Sequence, residues 1–452
     1  DDGLCHRCGS CVGICPTSVL GLDSEDYPIV ENLSACTDCD WCVKVCPGDE
    51  LDVHAINRDM FGVPQDLRDV HGVFEKAYLS YSMEKDLRWN SSSGGAVTGL
   101  LLSLLERGEI DGAVVISADE STPWKGKPII ARTREELLSA TKSKYAISPT
   151  NAVFAELREL SGRYGLVGLP CQIHGFHKAV RLDRRLRERV VVTIGLFCHA
   201  ATEHNPLRII WDDLERRGKK PVRYIPRVGK HPGEPVVVFE DGTQEPVYFP
   251  TKAYRPSSTE MLNLLYRLYT PERCMTCYDS TSEFADIAVG DPWMPPPADD
   301  INFREGYSFV MARTPEAVRM LEGARDAGDL KLLELARDAA KHCNLETALE
   351  KRYRAFRVIE TRRRQGHGVP DYGIQIPHPS GMRFLRVEMN MLTHILCYVP
   401  RFRDQFLRFL FSPVGYALIW LNHQRRVLRI TVRDGIAKVK RKLSGRDGLR
   451  SE

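Results

Sequence analysis

Eight of the cysteines lie within the first 46 residues and follow one spacing twice. Each set reads C-x2-C-x2-C-x3-C-P, and the second set begins 31 residues after the first. In iron–sulfur proteins with this spacing, three cysteines of a set hold one 4Fe–4S cluster and the fourth ligates the other cluster. The sequence therefore predicts two crossed ligand sets: Cys5, Cys8, Cys11 and Cys46, and Cys36, Cys39, Cys42 and Cys15.

Other uses of cysteine fit this repeat poorly. A disulfide framework would not repeat the motif with a proline after each set, and a zinc ribbon uses pairs of C-x2-C rather than three cysteines at two-residue gaps. Because such clusters belong in a reducing compartment, a cytoplasmic location is expected. Residues 1–55 contain 11 Asp and Glu but only 2 Lys and Arg. This acidic surface either steers the basic docking surface of a partner or is merely solvated.

Length and composition indicate an ordinary globular chain of several domains. The 452 residues are 43% hydrophobic and 27% charged, with a formal net charge of +3. That charge is too small to argue for nucleic acid as a partner. No apolar run reaches the roughly 18–20 residues that a membrane-spanning helix needs.

From about residue 78 the pattern alternates between strands and helices, which is typical of an α/β domain. A Ser- and Gly-rich turn at residues 91–98 precedes an apolar helix pattern, and a strand is predicted at 113–117. Free N–H groups at such a helix start suit a phosphate, although taken alone a Ser/Gly turn before a helix is more often a simple turn. The turn is not G-x-G-x-x-G, so a Rossmann fold is not predicted.

Four further cysteines lie where predicted strands and loops meet. Cys171 follows a strand at 165–168, Cys198 ends a strand at 190–197, and Cys274 and Cys277 form a C-x2-C before a strand at 286–289. Adjacent parallel strands end at one edge of a sheet, where ligands bind. The four thiols are therefore candidates for zinc or a third 4Fe–4S cluster, unless Cys171 and Cys198 are only small buried side chains.

Several motifs in order resemble one family. They are Gly95-Ala-Val-Thr98, Lys142-Ser-Lys-Tyr145 with Ser148-Pro-Thr-Asn151, Gly168-Leu-Pro-Cys-Gln172, Phe197-Cys-His199, Cys274-Met-Thr-Cys277 and Asp286-Ile-Ala-Val-Gly-Asp291. They are similar to the coenzyme F420 hydrogenase/dehydrogenase beta-subunit family, which also contains ferredoxin-dependent chlorophyll-type reductases. The resemblance covers roughly residues 75–365.

The resemblance implies a flavoprotein. It implies a third 4Fe–4S cluster on Cys171, Cys198, Cys274 and Cys277, and an FAD near Ser93, Gly94, Gly95, Ala96, Val97, Thr98, Lys144, Tyr145, Ser148, Pro149, Asn151 and Gln172. Lys144 is the candidate cation beside the flavin ring, with an ordinary surface lysine as the alternative. His199, together with His174 and His177, is a candidate proton relay, or else packs in the core.

The function implied is that of an iron–sulfur flavoprotein oxidoreductase. Electrons would pass between a ferredoxin or a redox partner subunit and FAD, and hydride would be exchanged with a diffusible substrate, coenzyme F420 being the leading candidate. Two alternatives stay open: a ferredoxin-dependent reductase of a tetrapyrrole-like substrate, and an electron-wiring subunit of a larger complex without a substrate of its own.

The predicted fold class is α+β or α/β. A two-cluster ferredoxin-like domain (1–60) precedes a mixed α/β flavin domain (75–300), a helical continuation with an arm (301–384), and apolar helices with a basic tail (385–452). That last segment either clamps the protein or docks a partner, or lies on the inner face of a membrane. Cys343 and Cys397 are expected to be ordinary thiols.

Overall fold

A computed structural model describes residues 3–247, 258–375, 379–394, 399–410, 412–415, 417–418, 420–421, 424–425 and 428. The fold is mixed α/β with a small N-terminal segment, which confirms the predicted fold class. In this part of the chain no helix is both long and apolar enough to span a membrane. Cys397 and the basic tail from residue 429 lie outside the described residues.

Thirteen strands in the described residues form three sheets. They are β1 (Leu20–Leu22), β2 (Pro28–Val30), β3 (Lys76–Ser82), β4 (Gly112–Ala118), β5 (Gly126–Ala131), β6 (Tyr164–Gly168), β7 (Val190–Leu196), β8 (Pro221–Val228), β9 (Glu234–Phe239), β10 (Gln244–Pro246), β11 (Ile287–Gly290), β12 (Ser308–Ala312) and β13 (Leu330–Glu334). The main sheet has the order β13-β3-β12-β11-β7-β6-β4-β5. Strands β11, β7, β6 and β4 are parallel, and the outer pairs are antiparallel.

Helices flank this sheet, and three helices belong to the N-terminal segment. In the described residues the helices are α1 (Ser10–Ile14), α2 (Trp41–Lys44), α3 (Val53–Phe61), α4 (Lys85–Asn90), α5 (Ala96–Glu106), α6 (Arg134–Ser139), α7 (Phe154–Leu157), α8 (Pro170–Leu182), α9 (Arg184–Arg189), α10 (Asn205–Arg216), α11 (Ser258–Tyr269), α12 (Glu272–Met275), α13 (Pro315–Asp326), α14 (Arg337–His342), α15 (Leu345–Arg364), α16 (Gly381–Thr393) and α17 (Pro400–Leu410). Short 3-10 turns occupy Leu33–Ala35, Thr150–Val153 and Phe303–Glu305.

The helical prediction for residues 301–384 is wrong at two places, where the chain forms strands β12 and β13. Residues of β12 are all buried, and β12 pairs with both β11 and β3 in the middle of the sheet. Strand β13 extends the same sheet at its edge through β3. Both strands are only five residues long, so their apolar residues satisfy a helical pattern equally well, and only pairing with distant strands decides between the two.

The N-terminal segment packs directly against the main domain. Ile14, Val45 and Ile56 belong to the same buried cluster as Phe154 and Leu166. The arm predicted after residue 366 returns to this segment, because the N–H of Leu51 donates to Asp371 O at 2.8 Å. The ferredoxin-like segment is therefore held between the α/β domain and the arm.

The C-terminal helices expose an apolar stripe. On α16 the exposed large side chains recur at the spacing of one helix face: Met382, Leu385, Met389 and Leu392. Helix α17 packs against α10, where Leu407 is fully buried. Helix α17 is therefore packed on the protein as a clamp, whereas α16 leaves an apolar face exposed.

Candidate functional site

The structure gathers one crossed set of thiols. Cys5, Cys8, Cys11 and Cys46 line one small cavity, together with Pro47 and Gly48. Burial raises the pKa of Cys5 to about 11 and that of Cys11 to about 12, and both thiols lie near Cys46. Because Cys46 comes from the second repeat, the chain crosses over as the spacing predicts. We call these four thiols the inner set.

The other crossed set extends from buried Cys15 to the surface. Cys15 is close to Cys42, which is also close to Cys39, and Cys36 is exposed. In the same N-terminal segment the apolar side chains Val30, Leu33 and Val43 are all more than half exposed. We call Cys15, Cys36, Cys39 and Cys42 the outer set.

The third set lies deeper in the molecule. The thiols of Cys171, Cys198, Cys274 and Cys277 are close enough to interact electrostatically. Cys171 begins α8 directly after β6, and Cys198 follows β7, the parallel neighbour of β6. Cys8 of the inner set is another close neighbour of Cys171. We call these four thiols the deep set.

The number and type of donors in these sets can be compared with what a 4Fe–4S cluster needs. Within the described residues, no group of three or more His, Cys, Asp or Glu side chains converges on a single metal position. The described cysteines also form no disulfides with one another. In a 4Fe–4S cube each thiolate binds a different iron, so its four ligands stand farther apart than those of one zinc ion. The inner and deep sets each gather four thiols, the number of protein ligands that one 4Fe–4S cube takes.

A cavity of about 400 Å³ opens at the carboxyl ends of β4, β6, β7 and β11. Of the residues predicted to contact FAD, those that line it are Ser93, Gly95, Ala96, Val97, Thr98, Lys144, Tyr145, Ser148 and Gln172. Cys198 and His199 line the same cavity. We call it the main cavity. Its wall contains one thiol of the deep set, that of Cys198.

Three predicted flavin contacts lie elsewhere. A Cβ on Gly94 would approach Ser80 O at 2.5 Å, so this glycine allows the turn to pack on the sheet. Pro149 lies beside Gly9 of the N-terminal segment. Asn151 is fully buried, its N–H donates to Cys8 O at 2.9 Å, and its amide donates to Ser10 Oγ and Gln172 O, both at 2.8 Å. Asn151 thus joins the inner set to the α/β domain.

The turn and the lysine-containing segment form one wall of the main cavity. Ser143 donates to Ser92 Oγ from its N–H at 2.8 Å and from its hydroxyl at 3.0 Å. Gly95 precedes α5 with a φ of 74°, and no side chain caps the helix. The first N–H groups of α5 are therefore left for a ligand.

The main cavity contains buried polar atoms that need partners. Ser91 Oγ, Thr150 Oγ1 and His199 Nδ1 are buried without a hydrogen-bond partner among the described residues. Buried polar groups are normally satisfied, so such a cluster indicates a bound polar ligand. Together with the uncapped helix start and the volume, these atoms fit a flavin nucleotide.

Lys144 is not a freely solvated surface lysine. Its ammonium group donates to Ala140 O and Thr141 O, both at 2.8 Å, just after α6. Burial, with Arg223 nearby, lowers the pKa of Lys144 to about 7. The lysine reaches the cavity wall while satisfying carbonyl groups at a helix end.

The three histidines have separate positions. His174 Nε2 lies 3.0 Å from Asp279 Oδ2, and His177 Nε2 lies 2.7 Å from Phe284 O. His199 Nε2 lies 3.2 Å from Arg354 Nη1. Burial, followed by the charge of Arg354, holds the pKa of His199 well below its usual range. Of the three, only His199 lines the main cavity.

Sequence reasoning missed two buried charged groups. Lys351 on α15 donates to Cys198 O at 2.6 Å and to Asp279 O at 2.5 Å, beside the deep set. Arg227 pairs with Asp291 in the cavity wall, with Nη1 and Oδ2 2.9 Å apart. Asp291 is the last residue of the motif at 286–291, so the sequence did indicate it. Lys351 lies in an ordinary charged helix pattern, so nothing local distinguished it.

The chain matches three sequence families. Residues 77–155 match the N-terminal part, and residues 161–338 the C-terminal part, of the coenzyme F420 hydrogenase/dehydrogenase beta subunit. Together the two matches cover more than half of the chain. The chain belongs to the coenzyme F420 hydrogenase/dehydrogenase beta-subunit family. Residues 4–51 match the 4Fe-4S dicluster domain, so the family domain here carries an iron–sulfur domain in front of it.

Relatives of this F420 hydrogenase/dehydrogenase beta-subunit family member include redox proteins. The coenzyme F420-dependent sulfite reductase of Methanocaldococcus jannaschii is 27% identical over 86% of this chain and 56% of its own length. This chain therefore spans little more than half of that relative. A subunit of the F420H2 dehydrogenase of Methanosarcina mazei is 27% identical over 73% of this chain and 84% of its own length.

A known structure shares the fold of this family member. A chain of the F420-reducing [NiFe] hydrogenase complex from Methanosarcina barkeri superposes with a TM-score of 0.51 at 24% identity. The match covers 66% of this chain and 97% of that chain. The remaining third of this chain is additional to the shared fold.

Proposed function

We propose that this chain is an iron–sulfur flavoprotein that passes electrons between a protein partner and a hydride-exchanging substrate, coenzyme F420. One observation carries the proposal: three thiol sets follow one another from the surface to the main cavity. The outer set includes exposed Cys36, Cys8 of the inner set neighbours Cys171 of the deep set, and Cys198 of the deep set lines the cavity.

In this proposal the main cavity holds FAD. A bound flavin exchanges single electrons with clusters and electron pairs, as hydride, with organic substrates. The chain binds the flavin with the N–H groups at the start of α5 and orients it with the wall that Ser92 and Ser143 fasten together. The volume of about 400 Å³ lies within the range of small-molecule sites.

The deep set would hold the cluster nearest the flavin. Lys351 is buried, yet it keeps a positive charge against Cys198 and Cys277. Burial by itself would lower the pKa of Lys351, but the neighbouring cysteines and Asp279 raise it overall. Four thiolates and a cube carry net negative charge, so a buried cation beside them offsets the cost of burying that charge.

The outer set is the proposed entry point for the protein partner. The segment that holds the outer set exposes Val30, Leu33 and Val43 and is acidic. An apolar patch within an acidic surface suits a partner with an apolar centre and a basic rim. Location in the cytoplasm follows as part of the same proposal, because the clusters require reducing surroundings.

The main cavity favours an enzyme over a simple electron-wiring subunit. It lies at the ends of parallel strands, the edge of such a sheet at which substrates as well as cofactors bind. A tetrapyrrole-like substrate remains the second candidate, since the cavity wall contains the apolar side chains Leu101, Leu137 and Leu262.

Anaerobic reconstitution tests the cofactor assignment. Three thiol sets predict about 12 Fe per chain, at 4 Fe for each cluster, together with one FAD. Cys171→Ser should leave about 8 Fe and keep the ferredoxin-like absorbance. About 8 Fe in the unaltered chain, unchanged by Cys171→Ser, would remove the deep cluster from the proposal.

A substrate screen tests the reaction itself. The reconstituted chain should reduce F420 with electrons from reduced viologen, and should leave NAD and tetrapyrroles unreduced. Reduction of a tetrapyrrole but not of F420 would transfer the assignment to the second candidate. Bound flavin that accepts electrons without passing them to any organic acceptor would contradict both.

A further inference from the structure

One guanidinium group, that of Arg273, connects the inner set to the deep set. Arg273 lies on α12, directly before Cys274 of the deep set. Its Nη2 atom donates to the carbonyl oxygens of the two residues that follow Cys46 of the inner set, both at 3.3 Å. Its Nη1 atom donates to Thr276 Oγ1 at 2.8 Å, one position before Cys277 of the deep set. The group therefore contacts the chain beside a thiol of each set.

The charge of Arg273 is buried and is not paired with a carboxylate. The residue is 1% exposed. Its remaining hydrogen bond goes to Tyr372 Oη at 3.1 Å, so in the described part of the chain all its acceptors are carbonyl or hydroxyl oxygens. By contrast, the buried side chain of Arg7 forms an ion pair with Glu203. A buried charge is costly unless it is paired, so Arg273 needs negative charge from another source.

Thiols of both sets can supply this negative charge. Cys46 and Cys277 are close enough to the Arg273 guanidinium group to interact with it electrostatically. A cysteine that ligates iron is deprotonated, and a cube with four thiolates carries net negative charge. Arginine does not lose its proton in proteins, so its positive charge is permanent. When both sets hold clusters, this one cation is compensated by the two of them.

The position of the cation is fixed from three parts of the chain. Tyr372, in the arm, accepts a hydrogen bond from Arg273 and donates one to Thr276 O at 3.1 Å. The N-terminal segment supplies the two carbonyl acceptors after Cys46, and the loop of the deep set supplies the Thr276 hydroxyl. The charge is therefore held in one place with respect to both sets.

We propose that Arg273 sets the reduction potentials of the inner and deep clusters together. A positive charge near a cluster stabilises the electron that the cluster gains, so one cation beside two clusters raises both potentials. An electron that passes between them oxidises one cluster and reduces the other, and the cation stays beside both. The inference rests on the proposed function for the presence of the clusters, but its own evidence is the position and burial of Arg273.

Redox titration of the full reconstituted chain, followed by electron paramagnetic resonance, tests this role. Cys171→Ser and Cys36→Ser identify the signals of the deep and outer clusters by their loss. Arg273→Gln removes the charge and keeps a hydrogen-bonding side chain. At a fixed ambient potential it should lower the ratio of reduced to oxidised cluster about tenfold at both the inner and the deep cluster, which corresponds to about 59 mV for one electron. The outer cluster should not change and is the internal control.

A change at neither cluster, or at only one of them, would overturn the proposal. Lys351→Met is the matched comparison, because the thiols that act most strongly on Lys351 all belong to the deep set. This variant should shift the deep cluster and leave the inner cluster unchanged. A shift of both clusters by Lys351→Met, equal to that of Arg273→Gln, would show that Arg273 has no special position.

Arg273→Lys separates the charge from the hydrogen bonds. It keeps the positive charge but loses the planar fork of donors, so both ratios should stay close to those of the unaltered chain. If Arg273→Gln fails to hold its clusters, this variant decides: a tenfold fall at both clusters despite the retained charge would overturn the proposal, and unchanged ratios would support it. About 8 Fe in the unaltered chain would count against the proposed function, whereas three clusters whose potentials do not respond to Arg273 would count against this inference alone.

Discussion

At the scale of single residues, Lys351 shows how the fold handles buried charge. Its side chain is 1% exposed, and its two carbonyl acceptors belong to Cys198 and Asp279. Removing one member of a buried charge pair leaves the other uncompensated, typically at a cost of about 3–5 kcal/mol. The Lys351 ammonium group therefore acts on the deep set in two ways. Its positive charge stabilises negative charge on the thiols, and its hydrogen bond holds the Cys198 carbonyl group in position.

Lys351→Met should lower the reduction potential of the cluster nearest the flavin. The reduced cluster carries one more negative charge, and in this variant no nearby ammonium group stabilises it. It should also destabilise the loaded protein by about 3–5 kcal/mol. Lys351→Arg keeps the charge and should change the potential much less. Redox titration followed by electron paramagnetic resonance measures both variants; identical potentials in the Met and wild-type proteins would refute the role.

Gly95 is required by its backbone as well as by its position. With φ at 74°, an added Cβ would lie 3.0 Å from Ser91 Oγ. Positive φ costs a non-glycine residue about 1–2 kcal/mol. The obstacle to a side chain is thus the turn itself, before any contact with a ligand.

Gly95→Ala should therefore lower flavin content while the ferredoxin-like absorbance is retained. Gly108→Ala is the matched control, since Gly108 has a φ of 65° at the other end of α5 and nothing within 4 Å of its Cβ position. Bound FAD per chain is the measurement. Equal flavin loss in both variants would show general backbone strain rather than a role of the turn.

At the scale of elements, the wall of the main cavity depends on one hydroxyl. Ser92 Oγ accepts both hydrogen bonds from Ser143 and so joins the turn before α5 to residues 141–146. The two segments lie about 50 positions apart in the sequence. Residues 141–146 are themselves held by a backbone bridge, in which the Thr202 N–H donates to Tyr145 O at 2.9 Å, and the Ser92–Ser143 hydrogen bonds attach the turn to them.

Ser92→Ala removes the acceptor and leaves the Ser143 N–H unsatisfied. A lost hydrogen bond of this kind costs about 1–3 kcal/mol, so FAD affinity should fall by roughly five- to 150-fold. Ser121→Ala, in an exposed loop where the hydroxyl donates to neighbouring Asp119, is the control. Fluorescence titration of the flavin compares them, and unchanged affinity in Ser92→Ala would refute the wall assignment.

At the scale of the whole molecule, the ferredoxin-like segment is a built-in part and not an appendage. Arg158 donates to Ile14 O and Cys15 O, and Arg273 donates to Pro47 O and Gly48 O. Deleting the segment would leave these buried guanidinium groups without those acceptors. Point variants at the surface therefore test the direction of electron transfer better than a truncation does.

Leu33→Lys should slow electron transfer to cytochrome c, a basic redox protein used here as the partner probe. Leu33 is 71% exposed beside the outer set, and a new cation would repel a basic partner. The rate should fall about tenfold at low salt and recover partly at high salt, because salt screens surface charge. Val222→Lys, on β8, places the same charge elsewhere and should change nothing. An equal loss in both variants would refute the two-ended arrangement.

The sequence determined the metal chemistry, because ligand spacing is a local property. Three cysteines at two-residue gaps and a fourth before a proline specify a cluster wherever they occur, and the crossing of Cys46 to the first repeat follows from that spacing. The central strands and the placing of Cys171 and Cys198 at adjacent strand ends were also predictable, since buried apolar runs and their ends can be read directly.

The tertiary structure decided whatever depends on contacts between distant residues. Strands β12 and β13 acquire their identity by pairing with β3, more than 200 positions away. Asn151 looked like a flavin contact beside Ser148, yet its amide binds Ser10 of the other segment. Lys351 reaches Cys198 across 153 positions of chain. Burial and electrostatic partnership are long-range properties, so only folding could assign these residues.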